Sequence, residues 1–113
     1  MKVSELTGAA LDWAVAKCIY EPDDVVICEG RVFAYDDATK GFNPSTNWTQ
    51  GGPIIEREGI SVATDDVEPW CGFIEDDETN TLFFSGPTPL IAAMRCYVAS
   101  KMGDEIELPE EVK

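Results

Sequence analysis

The chain has 113 residues, the usual size of one domain, and its 44% apolar fraction supports one packed core rather than two or wholesale disorder. Eight basic against 22 acidic residues give a net charge of −14, which repels phosphate backbones and anionic lipids and so argues against direct nucleic-acid or membrane-surface binding. No apolar run approaches the ~18 residues that cross a bilayer, and Met1-Lys2-Val3-Ser4-Glu5 lacks an apolar leader, so a soluble protein that stays where it is made is expected.

A first helix is predicted from Ser4 or Thr7 to about Cys18, since either residue can cap. Leu6, Ala9, Ala10, Trp13, Ala14 and Ala16 recur at helical spacing as its apolar stripe. Gly8 costs about 1 kcal/mol relative to Ala inside a helix, and among so many alanines it suggests close approach of a neighbour. Glu21-Pro22-Asp23-Asp24 ends the segment. Residues 25–28 and 31–35 are short β-branched and aromatic runs around Glu29-Gly30, a two-residue connection that reads as a hairpin, although Glu is a poor choice for a positive φ. Residues 36–41 read as a polar turn, and 42–52, with Pro44, Gly51 and Gly52, as an ordered but irregular loop. Residues 60–64 alternate with period two, as a half-buried strand does. Two further strands are expected at 70–74 and 81–85, on either side of an acidic surface loop at 75–80. A second helix is expected to open with Thr88 as cap and Pro89 in first position and to stop at Gly103. Leu90, Ile91, Met94, Val98 and Met102 make its buried stripe, with Tyr97 at the edge. Ile106 and Leu108 stand between acids in a tail that adds an edge strand or frays. Two main helices around a small antiparallel or mixed sheet make the expected class α+β, in one domain over 1–113.

Histidine is absent, which excludes Ser-His and Cys-His nucleophile pairs and any imidazole base. Cys18, Cys28, Cys71 and Cys96 include no Cys-x-x-Cys pair, so zinc is not expected and the thiols are expected to be reduced and mostly buried. Neither phosphate-loop fingerprint occurs. Asp65-Asp66 and residues 75–78 offer carboxylates for magnesium, but a solvated charged loop explains both. No cofactor is expected.

The segment from Asn43 to Glu58 differs in kind. Trp48, Gln50, Gly51, Gly52 and Arg57 fall within ten residues of one another, and Arg57 is one of only three arginines. Together they can present an aromatic face, an amide, exposed backbone N–H groups and an anion handle to a ligand. The architectural alternative is that Trp48 plugs the core, Asn and Thr satisfy the turn backbone, and Arg57 pairs with one of many acids. Arg95 on the second helix has the same two readings.

Three runs carry a family resemblance. They are 4–16, Ser-Glu-Leu-Thr-Gly-Ala-Ala-Leu-Asp-Trp-Ala-Val-Ala; 48–58, Trp-Thr-Gln-Gly-Gly-Pro-Ile-Ile-Glu-Arg-Glu; and 86–95, Gly-Pro-Thr-Pro-Leu-Ile-Ala-Ala-Met-Arg. In combination the chain resembles the NinX-type family of small proteins from lambdoid bacteriophages. The resemblance implies a phage accessory protein in the cytoplasm of an infected bacterium and brings no catalytic residue with it. Three classes of function follow: a binding module that acts on a host process through a protein or small-molecule site around 48–57, an acidic DNA mimic that inhibits a basic host protein, or an enzyme using carboxylate chemistry. The first is preferred, with a host or phage protein or a small molecule as partner, and a homo-oligomer would complete a shallow site.

Overall fold

A computed structural model of the chain describes residues 1–34, 41–64, 66, 68–75 and 81–113, and of Glu75 the backbone only. The expected turn at 36–41, acidic loop at 75–80 and pair Asp65-Asp66 lie wholly or partly outside these residues.

Among the described residues, three helices and two small antiparallel sheets make the fold α+β. Helix α3, Pro89–Met102, is its centre. Thr88 Oγ1 accepts the Ile91 N–H at 3.1 Å, and Pro89 takes a first-turn position where a missing N–H costs nothing. Every residue from Leu90 to Ala99 is buried, so the expected stripe is a helix enclosed on all sides. Tyr97, expected at an edge, is 2% exposed, and Met102, expected inside, is 37% exposed. The second face of α3 carries Ala92, Ala93 and Cys96, small residues that let other elements come close.

One covering element is the sheet of β3 (Ser61–Thr64), β4 (Trp70–Glu75) and β5 (Thr81–Gly86), in the order β3-β4-β5 with Phe73 opposite Phe83. It meets α3 at backbone distance. A Cβ on Gly72 would stand 3.0 Å from the Ala92 carbonyl, and one on Gly86 would stand 2.7 Å from the Ala92 nitrogen. The outward partners Phe73 and Phe83 stack with ring centroids 6.4 Å apart.

Helix α1, Gly8–Ile19, packs against another part of α3. Its buried residues are Leu11, Asp12, Ala14, Val15 and Ala16, whereas Trp13 and Ala9 are only half-buried, so the true stripe is rotated from the predicted one. Thr7 stands at the N-cap without a side-chain bond. Gly8 has φ +55° and would have no atom within 4 Å of a Cβ, so it serves backbone shape rather than the close approach expected of it. The expected hairpin forms from β1 (Val25–Cys28) and β2 (Arg31–Ala34), with Cys28 opposite Arg31. Glu29 and Gly30 both have positive φ, as the twist of a two-residue hairpin requires, even at the cost of a Glu there.

The two ends of the chain meet. The Ile106 N–H donates to the Met1 carbonyl at 3.0 Å, the Val3 N–H to the Asp104 carbonyl at 2.8 Å, and Ile106, Leu108 and Val112 are buried. The tail is therefore packed rather than frayed. Arg95 is 5% exposed: Nε donates to the Leu6 carbonyl at 2.9 Å and Nη1 to the Ser85 carbonyl at 2.7 Å, with Glu68 Oε2 at 3.8 Å. Burial pulls its pKa down, partly offset by Glu68. Arg95 is architecture.

Candidate functional site

The segment expected as an irregular loop contains a third helix, α2, Trp48–Glu58. Its entry is built step by step. Asn43-Pro44-Ser45-Thr46 turns, with the Asn43 carbonyl accepting the N–H groups of Thr46 and Asn47 at 3.1 and 2.9 Å. Asn47 then caps the helix, its Oδ1 accepting the Thr49 N–H at 2.9 Å. Gly-Gly-Pro suggests a turn because each residue is a poor helix former, and Pro53 inside the helix forgoes a backbone bond. Tertiary packing outweighs that cost. Ile54 is buried, and Gly51 lies so close to the preceding turn that a Cβ there would stand 2.5 Å from the Pro44 carbonyl and 2.6 Å from Leu90 of α3.

The five residues singled out in the sequence have different fates on this helix. Trp48 is 56% exposed, so its ring does not plug the core. Gly52 lies on the adjacent turn, and a Cβ there would be 3.9 Å from the indole, in ordinary contact. The Gln50 amide is spent internally: Oε1 accepts the Asn43 N–H at 2.6 Å and Nε2 donates to the Gly41 carbonyl at 3.0 Å, clasping the entry segment to the helix. Gly51 is a spacer against Pro44 and Leu90. Arg57 is exposed and bonds its neighbour, Nε to Glu58 Oε2 at 2.9 Å, with Lys101 Nζ 3.5 Å from the other carboxylate oxygen. That guanidinium, with Lys101 beside it, holds the Glu58 carboxyl below the usual range. Nine residues along a helix are about 13.5 Å and about half a turn out of phase, so Trp48 and Arg57 point to opposite sides and make no joint pocket.

What shares the side of Trp48 follows from 100° per residue: Gly52, Glu56, Thr49 and Pro53 span about 140° of helix face with it. Trp48, Thr49, Pro53 and Glu56 are exposed. The result is an aromatic ring flanked by Pro and Thr and one acid, on a capped helix whose inner face is pinned to α3.

Sequence reasoning missed Asp12. It is 5% exposed, its Oδ1 accepts the Ser45 N–H at 2.9 Å, and burial raises its pKa to about 6, partly countered by the Ser45 hydroxyl and N–H. The Ser45 hydroxyl is itself buried and, among the described residues, has no partner in hydrogen-bonding geometry. A signal was present. The neighbours of Asp12 at i±3 and i±4 are Gly8, Ala9, Val15 and Ala16, which leave a carboxylate on an apolar face with no local cation.

Among the described residues no group of three or more Cys, Asp or Glu is arranged to hold a metal ion, and no helix is long and apolar enough to cross a membrane. No curated protein matches the chain. A model of one family does, over residues 2–101, which include all three runs noted in the sequence. The chain belongs to that family, described as bacteriophage P22, NinX, and is a phage accessory protein.

Proposed function

We propose that this protein is a non-enzymatic binding module of the infected bacterial cytoplasm that grips a basic protein through the Trp48 face of α2. The supporting observation is the ring itself, more than half exposed on a helix whose cap, clasp and inner face are all fixed. Large rings of this kind dominate binding energy when they enter a partner's cleft, because they bury much area for little lost conformational freedom. A net charge of −14 selects for the partner's sign, and Glu56 on the same face adds a local acid. Arg57, about 13.5 Å along the helix from Trp48 and paired with Glu58, stands at the far edge of this face and is assigned no part in the grip.

The test is a photo-reactive residue at position 48, activated in infected cells, with position 110, on the exposed start of the C-terminal 3-10 turn Glu110–Val112, as control. The adduct is identified by mass spectrometry and the partner purified. Trp48→Ala is then expected to weaken binding at least about tenfold, and raising salt from 50 to 500 mM to weaken it further. A partner bound equally well by Trp48→Ala, or adducts no more frequent at 48 than at 110, would remove the proposal.

A further inference from the structure

The face of Trp48 leaves unexplained a small cavity elsewhere, between α1, the β1–β2 hairpin and the segment 41–43 that leads into the Asn43 turn. Ala9, Asp12, Arg31, Val32, Phe42 and Asn43 are among its lining residues, and its volume is about 110 Å³. We propose that this cavity is a binding site for a glycine-sized amino-acid zwitterion, its ammonium group on Asp12 and its carboxylate towards Arg31.

The floor dictates the donor end. A carboxylate offers about four acceptor positions, and among the described residues only Ser45 reaches Asp12, through its N–H at 2.9 Å and its nearby hydroxyl. Burying a carboxylate with acceptor positions unfilled is costly, and a ligand with several N–H donors relieves that cost in a way that an apolar guest cannot. With its pKa at about 6, Asp12 carries negative charge at neutral pH and favours a cationic donor. The buried Ser45 hydroxyl stands beside the same carboxylate, behind the cavity rather than in its wall.

The wall supplies the opposite sign. Arg31 lines the cavity, and its guanidinium lies along the backbone of Gly41: a Cβ on Gly41 would be 2.9 Å from Arg31 Nη2. The guanidinium lies over the Phe33 ring, 5.4 Å from its centroid, with Gly41 leaving room beside it, and its planar fork is suited to a carboxylate. Asn43 adds an amide that can serve either end. Between them, Val32 and Phe42 provide apolar wall for a short carbon skeleton.

Size limits the guest. A cavity of ~150 Å³ accommodates benzene and a water takes about 30 Å³ of liquid, so about 110 Å³ accepts about four or five heavy atoms. Glycine fits within it; a longer side chain would have to extend out through the open side. The Gln50 amide, bonded to Gly41 and to Asn43, holds one wall in place whether or not the site is filled.

Two-dimensional amide NMR of the intact protein, titrated at pH 7.5 with glycine, methylamine and acetate, tests the assignment. Glycine is expected to give saturable shifts at Asp12, Arg31, Asn43 and Ser45 below about 20 mM, and each half-molecule to bind at least about tenfold more weakly. Arg31→Gln, an exposed replacement that leaves the core untouched, is expected to abolish the preference of glycine over methylamine. Asp12→Asn, if its spectrum stays dispersed, is expected to lose glycine binding. Acetate binding as well as glycine, or glycine shifts that do not saturate or that survive Arg31→Gln unchanged, would overturn the proposal. None of these outcomes bears on Trp48, so the two proposals stand or fall separately.

Discussion

The Ser45 N–H and the Asp12 Oδ1 meet at 2.9 Å across 33 positions of sequence, joining helix α1 to the turn that launches α2. Because this carboxyl is buried, the join is sensitive to protonation. The folded-state pKa of about 6 lies above the ordinary 3.8, so between those values the native state holds a proton that the unfolded chain has released. The stabilising contribution of the protonated group is therefore complete below about pH 4 and is lost as pH rises through about 6. The difference corresponds to about 3 kcal/mol. Asp12→Asn keeps an acceptor for Ser45 without the charge. Urea unfolding of both proteins at pH 4 and pH 7 is expected to show the variant gaining about 2–3 kcal/mol on the wild type between the two; a constant difference would refute the assignment.

Adjacent glycines on α2 are expected to respond with opposite sign. Gly51→Ala places a methyl against the Pro44 carbonyl and Leu90, an overpacking that costs about 1–3 kcal/mol despite better helix propensity. Gly52→Ala meets only the indole at 3.9 Å and gains up to about 1 kcal/mol from propensity. Chemical denaturation of the two single variants decides it, and equal destabilisation of both would show that the helix is not seated as described.

Removal of the Trp48 ring is expected to be cheap for the fold. A buried large aromatic costs about 3–5 kcal/mol when cut to Ala, whereas a ring 56% exposed is expected to cost about 1 kcal/mol or less. A calorimetric scan of Trp48→Ala checks this, and a fall of more than about 10 °C in Tm would make the ring part of the core.

All four cysteines are free, and they are expected to react in an order set by burial. Cys28 is exposed and leads. Cys71 and Cys96 are buried and Cys18 half-buried, and burial pushes the Cys18 and Cys96 thiols up to about 11, where little thiolate exists at pH 8. Ellman titration of native protein is expected to show one fast thiol and the rest at least about tenfold slower, then four in denaturant. Fewer than four in denaturant would mean oxidation that the fold does not require.

Local chemistry made α3 and the first hairpin legible: Thr88, Pro89 and Gly103 each sit where their backbone preferences place them, and Glu29-Gly30 joins two β-branched runs at hairpin spacing. Helix α2 was hidden for the opposite reason. Gly51, Gly52 and Pro53 each disfavour a helix locally, and what sustains it is contact with Pro44 and Leu90, which spacing along the chain does not reveal. The rotated stripe of α1 has a similar source, since alanines are compatible with either face and Asp12 reads as an outside residue until Ser45 is brought to it. For the candidate site, spacing brought five residue types together but did not reveal that the Gln50 amide and Gly51 are engaged within the fold or that Arg57 pairs with Glu58 half a turn from Trp48.

The near-contact of Gly72 and Gly86 with Ala92 has an evolutionary corollary. Three positions from three different elements share one small volume, so none can accept a larger side chain unless the sheet lifts from α3. Substitutions there are coupled: the first enlargement is penalised wherever it falls, and a second cannot relieve it because all three residues are already near the minimum of size. The junction should thus drift far less among relatives than the exposed face of α2, and lineages encountering different hosts would be free to vary the latter while the former stays fixed.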